Sequence, residues 1–215
     1  MTNKSFSDLL RLVVITDPDL SEPLGLINII HEVLEAGVGM IQLRDKTAGA
    51  KKLLGLAESI LPLTRSASAL LIVNDRLDVA LAAHADGVHL GPDDLNIAPV
   101  RNIVPENFII GYSTDDPLQG KMAESQGANY IGCGTVYQTS SKSDAGNPIG
   151  THGIKKMVDA VNIPVIGIGG IIPGNATGIL EAGASGVATI GAIMGSSDPR
   201  SITKEFLRVL SDSST

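Results

Sequence analysis

Short runs of apolar residues recur along the whole chain, each rich in Val, Ile or Leu and each interrupted by Gly, Asp, Asn or Pro. Such short continuous runs are typical of strands that are buried on both faces of a parallel sheet. The pattern predicts eight strands, at Leu12–Thr16, Gly39–Arg44, Ala69–Asn74, Gly87–Leu90, Ile109–Ser113, Tyr130–Gly134, Val165–Ile168 and Gly186–Ile190.

Amphipathic segments alternate with these runs and predict helices, among them Leu26–Ala36, Lys51–Leu61, Ile179–Ala182 and Phe206–Leu210. Four phrases, EAGVGMIQLRD, AHADGVHLG, SQGANYIGCG and EAGASGVATIG, share the order of a helix end, a glycine turn and a strand. The strands start about 25 residues apart on average, near the lower end for a closed barrel. We therefore predict an α/β fold, a (β/α)8 TIM barrel that forms a single domain over residues 1–215, with an open doubly wound sheet as the alternative.

Polar side chains follow the second, third and fourth predicted strands, where a βα barrel carries its active-site loops. They are Gln42, Arg44, Lys46, Asn74, Asp75, Arg76, Asp93 and Asp94. Two separated carboxylate positions near cations predict an oxygen-ligated divalent metal, Mg2+, completed by phosphate oxygens of a substrate. We assign Asp75 and Asp94 to the metal and Asp93 to a helix cap.

Glycine-rich turns follow the last two strands, at Gly167–Gly170 and Ile190–Ala192. They predict a phosphate site, because backbone N–H groups can approach an anion closely where no Cβ intervenes. Neither GxGxxG nor GxxxxGK[ST] occurs, which argues against dinucleotide and P-loop sites. The longest connection without a helical pattern, Thr135–Gly150, is predicted to be a functional loop.

The histidines and the cysteine are not placed as catalysts by their positions in the sequence. His31 and His84 are predicted on surface helices, and His152 begins a helix. His89 lies inside the fourth strand, where a structural role is favoured over one in lining the barrel. Cys133 also lies in a strand and is predicted to be a small core residue.

The net charge and the cysteine content indicate which binding partners and which cellular location are expected. The chain has 215 residues and a formal net charge of −7, so a general nucleic-acid binder is not expected, although a local phosphate pocket is allowed. A single cysteine, the absence of a leader-like apolar segment at the start and the interruption of every apolar run predict a cytoplasmic protein without membrane contact.

The motifs are similar to those of the thiamin phosphate synthase family from Val14 to Pro199. The similarity is carried by ITD at 15–17, QLRDK at 42–46, VNDR at 73–76, DGVHLGPDD at 86–94, GYS at 111–113, ANYIGCGTVYQTSSK at 128–142 and GIGGI at 167–171. The resemblance implies a TIM-barrel transferase that joins aminopyrimidine methyl diphosphate to thiazole ethyl phosphate and releases pyrophosphate. Mg2+ would be its cofactor and small molecules its substrates, with no nucleic acid or membrane partner and with a homo-oligomer left open.

The resemblance also implies a role for individual residues. Gln42 would contact the pyrimidine, and the diphosphate would be bound by Arg44, Lys46, Asn74 and Lys142. Asp75 and Asp94 would hold Mg2+. The forming bond and the thiazole would be surrounded by Ser113, Thr139 and Ser141, and the thiazole phosphate by Gly169, Ile190 and Gly191. The catalytic group would be Arg44, Lys46, Ser113 and Lys142.

Four positions depart from the family pattern, namely Thr135, Gln138, Asp115 and Gly191. The nearest alternative is the sister family of thiazole tautomerases, which rely on a histidine near the GxS strand. Asp115 at that position counts against this alternative. A second alternative is a catalytically silent barrel that binds thiazole phosphate.

Overall fold

Eight parallel strands close into a barrel in the computed structural model, which describes residues 5–139 and 146–212. The strands are β1 (Leu12–Ile15), β2 (Met40–Leu43), β3 (Leu70–Asn74), β4 (Gly87–Leu90), β5 (Ile109–Ser113), β6 (Tyr130–Cys133), β7 (Val165–Ile168) and β8 (Gly186–Thr189). Each strand pairs in parallel with the next one along the chain, and pairing of Val13 with Ala188 joins β1 to β8. The predicted (β/α)8 barrel is confirmed, and the open sheet is not formed.

Several strands end one residue earlier than the apolar pattern predicts, as β2 illustrates. The Arg44 N–H donates to the Thr16 hydroxyl at 2.7 Å, and the same hydroxyl donates to the Arg44 carbonyl at 2.8 Å. The side chain of Thr16, directly after β1, thus takes the place of a backbone partner for Arg44. The chain leaves the ladder after Leu43, so that Arg44 begins the loop at the barrel mouth.

Helices alternate with the strands around the outside of the barrel. They are α1 (Phe6–Leu10), α2 (Leu26–Ala36), α3 (Ala50–Ser66), α4 (Leu77–Ala82), α5 (Ile97–Ile103), α6 (Pro117–Ser125), α7 (Gly150–Ala160), α8 (Pro173–Glu181), α9 (Gly191–Met194) and α10 (Pro199–Asp212). Of the helices that the structure describes, none has the length and apolarity that crossing a bilayer requires.

The helix ends show where the sequence pattern was informative and where it was not. α2 has the predicted bounds, because Gly37 ends it with a φ of 112°, a left-handed conformation that costs glycine little. α3 continues past Pro62 to Ser66, since Thr64 and its neighbours still pack against the core. α8 and α10 begin well before the predicted segments, each with a proline at its first turn, where the missing N–H is harmless.

The short helix α1 covers the end of the barrel at which the strands begin. It starts with a capping box, in which Ser5 and Asp8 each accept the other's backbone N–H. Leu10 is fully buried, and the Phe6 ring packs edge-on against Tyr130 at a centroid distance of 6.4 Å. The loops that follow the strands lie at the opposite end, which is the catalytic face of such barrels.

Arg101 on α5 fastens the loops that precede β5 and β6. Its guanidinium donates to the carbonyls of Phe108 and Gly127, both at 2.8 Å, and to Asn129 Oδ1 at 2.7 Å. The same Asn129 oxygen accepts the Ile110 N–H at 2.8 Å. Because these loops lie at the covered end of the barrel, we assign Arg101 a role in stability.

We expect Arg101→Met to lower the free energy of unfolding by about 2–4 kcal/mol, because bonds to a charged donor are worth about 1.5–3 kcal/mol each and the side chain is partly exposed. Urea denaturation followed by circular dichroism measures this change. Arg208→Met is the control, since Arg208 is exposed and pairs with Asp212 on the same helix at 3.3 Å. Equal losses in the two variants would contradict the role given to Arg101.

Candidate active site

The end of β2 carries an amide and two cations to the barrel mouth. Gln42 is buried inside the barrel, and its side chain lies near the hydroxyl of Tyr130. Arg44 is also buried, with its guanidinium 3.9 Å from the carboxylate of Asp17, while Lys46 is exposed. Gln42 therefore lies in β2, and the two cations lie in the loop that follows it.

Two carboxylates meet at the ends of β3 and β4. The side chains of Asp75 and Asp94 lie within hydrogen-bonding distance of each other, and Asp94 also accepts the Gly91 N–H at 2.7 Å. Burial, followed by the charge and hydrogen bond of Asp94, raises the pKa of Asp75, whereas the nearby charges of Lys46 and Arg44 lower it. The two predicted metal ligands and two of the predicted diphosphate cations, Arg44 and Lys46, therefore form one cluster.

A cavity of about 880 Å³ opens over the other half of the mouth, at the ends of β5 to β8. Five predicted substrate-binding residues belong to its wall: Ser113, Thr139, Gly169, Ile190 and Gly191. A cavity of this size suits a small organic molecule, for which volumes of about 300–1,000 Å³ are usual.

One wall of this cavity is suited to an anion. Gly169 has a φ of 102°, and a Cβ there would lie 2.7 Å from Thr135 Cγ2, so only glycine fits. On the neighbouring side, α9 begins at the cavity wall with Ile190 as its N-cap and with no side-chain cap bond from the part of the chain that the structure describes. Backbone N–H groups at a helix start attract phosphate. The glycine turn and the helix start thus border one cavity, where the sequence predicted a phosphate site.

A chain of hydrogen bonds runs through the barrel interior to the cavity. Beyond the contact between Gln42 and Tyr130, the Tyr130 hydroxyl lies 2.9 Å from His89 Nδ1, and His89 Nε2 lies 2.7 Å from Ser113 Oγ. Burial raises the pKa of Tyr130, so its hydroxyl keeps its proton. Sequence reasoning did not identify Tyr130 and gave His89 a structural role, although both are polar residues in otherwise apolar strands, which was the available signal.

A family model described as thiamine monophosphate synthase matches residues 12–193 of the chain. The chain belongs to the thiamine monophosphate synthase family. It is 46% identical over 196 residues to the thiamine-phosphate synthase of Roseiflexus castenholzii, covering 91% of this chain and 86% of that protein. It is 42% identical over 206 residues to the thiamine-phosphate synthase of Pyrococcus furiosus, covering 94% of this chain and 96% of that protein.

The architecture agrees with a solved structure from the same family. The structure of thiamine phosphate pyrophosphorylase from Pyrococcus furiosus superposes with a TM-score of 0.89 and 38% identity, covering 98% of this chain and 100% of that one. The resemblance inferred from the sequence motifs is therefore confirmed for the family and for the barrel.

Most of the site residues that the family resemblance implies reach the mouth, but two lie outside the described residues, Ser141 and Lys142. Both ends of their loop are fastened, since the Ile149 N–H donates to the Thr135 carbonyl at 2.9 Å and the Gly150 N–H donates to Val136 at 3.0 Å. The roles of Ser141 and Lys142 remain predictions. Asn74 lies at the end of β3, next to Asp75.

The assignment of Asp93 to a helix cap is wrong. The N-cap of α5 is Asn96, and Asp93 lies in the cavity wall. A turn from Gly91, whose carbonyl accepts the Asp94 N–H at 3.2 Å, delays the start of the helix. Arg76 does not join the other cations, because its guanidinium donates to both carboxylate oxygens of Asp78, at 2.9 and 2.6 Å.

The remaining histidines and the cysteine are where the sequence placed them, with one difference. His31 and His152 are exposed on helices, whereas His84 is exposed just after α4 with a φ of 53°. Cys133 is fully buried, and burial raises the pKa of its thiol to about 12, which keeps it an unreactive core residue.

The pair of carboxylates fits a Mg2+ ion in a member of this family. Two partly buried carboxylates in contact repel each other, and a divalent cation between them removes that repulsion. Among the residues described, no three side chains of His, Cys, Asp or Glu converge to make a larger ligand set. Mg2+ commonly takes one or two carboxylates and fills its other positions with water and substrate phosphate oxygens, which suits this pair.

Proposed function

We propose that the protein joins 4-amino-2-methyl-5-pyrimidinylmethyl diphosphate to 4-methyl-5-(2-phosphoethyl)thiazole, giving thiamin phosphate and pyrophosphate. The observation that carries the proposal is the division of the mouth into two halves. Arg44 and Lys46 beside the Asp75–Asp94 pair suit a diphosphate, and the adjoining cavity with its glycine turn suits a phosphorylated small molecule. Membership of the thiamine monophosphate synthase family supports this assignment of the two halves.

The first step is the departure of pyrophosphate. The bond between the pyrimidine methylene carbon and the diphosphate oxygen breaks, and its electron pair leaves with pyrophosphate. The Arg44 guanidinium can grip two oxygens of the leaving group, and Lys46 adds a second positive charge. A Mg2+ ion bound by Asp75 and Asp94 would supply further neutralisation of the diphosphate charge. Stabilisation of the leaving group is therefore the main contribution of this half.

The second step is capture of the pyrimidine methylene, which carries positive charge delocalised to its amino group. The lone pair of the thiazole nitrogen forms the new carbon–nitrogen bond, so that no proton is transferred. Gln42 would hold the pyrimidine, and the cavity lined by Ser113 and Gly169 would hold the thiazole phosphate close to it. The enzyme promotes this second step by positioning the two reactants, and a general base is not needed.

An assay with both substrates, with and without Mg2+, tests the proposal. We expect thiamin phosphate and pyrophosphate in equal amounts with Mg2+ and little of either after chelation. Isomerisation of a thiazole phosphate without the diphosphate substrate would favour the tautomerase alternative, although the cavity wall carries Asp115 where that family uses histidine. Binding of thiazole phosphate without turnover would favour the silent barrel.

We infer a cytoplasmic location and small-molecule partners. The single cysteine rules out an internal disulfide, and the net charge of −7 is unfavourable for holding nucleic acid. A homo-oligomer remains a prediction, which size-exclusion chromatography with light scattering would test.

We expect Gly191→Ser to lower the KM for thiazole phosphate about tenfold or more and to leave the KM for the pyrimidine diphosphate unchanged. Gly191 lies in the cavity wall at the start of α9, and a hydroxyl there adds a hydrogen bond to a charged phosphate, worth about 1.5–3 kcal/mol. Gly55→Ser is the control, because Gly55 lies in α3 with open space around it. Parallel changes in both constants, or in neither, would show that Gly191 does not face the thiazole phosphate.

A further inference from the structure

Four polar side chains from four different strands lie next to one another inside the barrel, and hydrogen bonds link the last three of them. The order is Gln42 on β2, Tyr130 on β6, His89 on β4 and Ser113 on β5. The first three are at most 6% exposed, whereas Ser113 lines the substrate cavity. The chain therefore leads from the buried interior to a group at the reaction site.

Two glycines provide the space that this chain occupies. A Cβ at Gly111 would lie 2.4 Å from His89 Nδ1 and 2.5 Å from the Tyr130 hydroxyl oxygen. A Cβ at Gly132 would lie 3.1 Å from His89 Cε1. Because β5 and β6 both have glycine facing the imidazole, the barrel keeps the histidine and the tyrosine in one arrangement.

The donors and acceptors along the chain fix the direction of each hydrogen bond. Burial raises the pKa of Tyr130, so the hydroxyl keeps its proton, and a buried O–H needs an acceptor, for which His89 Nδ1 at 2.9 Å is the hydrogen-bond partner among the described residues. The one proton of the tyrosine hydroxyl is then donated to His89 Nδ1.

The same reasoning extends through the imidazole to the serine. In a neutral ring that accepts at Nδ1, the proton is on Nε2, which donates to Ser113 Oγ over 2.7 Å. The hydroxyl proton of Ser113 is then directed to another acceptor. Ser113 belongs to the cavity wall, so a substrate bound in the cavity can supply that acceptor.

We propose that His89, supported by Tyr130, is a positioning residue that fixes the hydroxyl of Ser113 as a hydrogen-bond donor to the substrates. The inference rests on the proposed function, because Ser113 faces the two reactants only if they bind as described above. Ser113 touches substrate, whereas His89 and Tyr130 act through it.

The tautomer of His89 is tested first, because its measurement needs no substrate. Long-range proton–nitrogen correlation spectra of protein labelled with 15N-histidine distinguish the two tautomers, and His89→Gln assigns the ring among the four histidines. We expect Nε2 to carry the proton, and Tyr130→Phe to shift the Nδ1 resonance. A proton on Nδ1 in the wild-type protein would overturn the inference, whether or not the proposed reaction is found.

Kinetics then test the effect on the serine by a double-mutant cycle. Tyr130→Phe should lower kcat about three- to tenfold and leave both KM values within about twofold. The substitution removes the hydrogen bond that holds His89, so that the Ser113 hydroxyl is oriented less well. In a Ser113→Ala background the same substitution should have no further effect. His89→Gln, which keeps a donor near the Nε2 position, should retain more activity than His89→Leu.

Two outcomes of the cycle would overturn the inference. One is multiplication of the two losses in the double variant, and the other is a fall in melting temperature without a change in kcat, both of which indicate a purely structural histidine. Thr64→Val is the control for loss of a buried hydroxyl away from the mouth, since Thr64 bonds the Leu61 carbonyl within α3. It should leave kcat unchanged. A wild-type protein that makes no thiamin phosphate would refute the proposed function, and the tautomer measurement would still decide the donor arrangement.

Discussion

Asp75→Asn should reduce kcat/KM by about a hundredfold or more at low Mg2+, with partial recovery as the Mg2+ concentration is raised. An amide is a poorer ligand for Mg2+ than a carboxylate, and the site offers few other protein ligands among the described residues. The backbone at Asp75 has a φ of 61°, which asparagine tolerates nearly as well as aspartate. The loss should therefore arise from the missing charge, and steady-state kinetics over a range of Mg2+ concentrations measure it.

The same substitution has a second expected result that does not depend on turnover. Without Mg2+, the variant should melt a few degrees higher than the wild type at neutral pH, because the repulsion between Asp75 and Asp94 is removed. Mg2+ should raise the melting temperature of the wild type and have little effect on the variant. Asp78→Asn is the control, since Asp78 is exposed and pairs with Arg76. Normal turnover of Asp75→Asn at low Mg2+ would show that Asp75 does not bind the metal.

Arg44→Lys should lower kcat/KM for the pyrimidine diphosphate about ten- to hundredfold, although it keeps the charge. A planar guanidinium binds two oxygens of a diphosphate in parallel, and an ammonium group cannot reproduce both bonds. Loss of one such bond is worth about 1.5–3 kcal/mol. Single-turnover kinetics with saturating thiazole phosphate isolate the effect on the diphosphate substrate.

Arg76→Lys is the matched control for this substitution. It makes the same exchange after the neighbouring strand, at a side chain that is paired with Asp78 instead of joining the other cations. We expect its activity to stay close to that of the wild type. If the two variants lost activity equally, Arg44 would be contributing general positive charge or stability, and not two specific hydrogen bonds to the diphosphate.

The sequence by itself determined the barrel and most positions of its site. Short apolar runs in a regular alternation with amphipathic segments leave few folds open, and all eight predicted strands are present. Because parallel strands point the same way around a closed barrel, residues after successive strands must meet at one mouth. This is why Arg44, Asp75 and Asp94 could be grouped although they are far apart in the sequence.

Other features could not be read from local patterns because they depend on how elements pack. The turn at Gly91 places Asp93 in the cavity wall instead of at a helix N-cap, and the geometry of this turn was not evident from the acidic pair alone. Helix α1 is only five residues long, too short for a periodic pattern, and it is recognised by its packing on Tyr130.

The interior hydrogen-bond chain is the clearest case that only the tertiary structure decided. Tyr130 and His89 lie 41 residues apart, and His89 and Ser113 lie 24 residues apart, so their spacing in the sequence does not predict that they are in contact. They meet because the register pairs His89 with Gly111, and Gly111 with Tyr130, which brings β4, β5 and β6 together without a side chain between the two rings. Strand order and residue type follow from the sequence, whereas the contacts across the barrel follow from its stagger and from the space that those glycines leave.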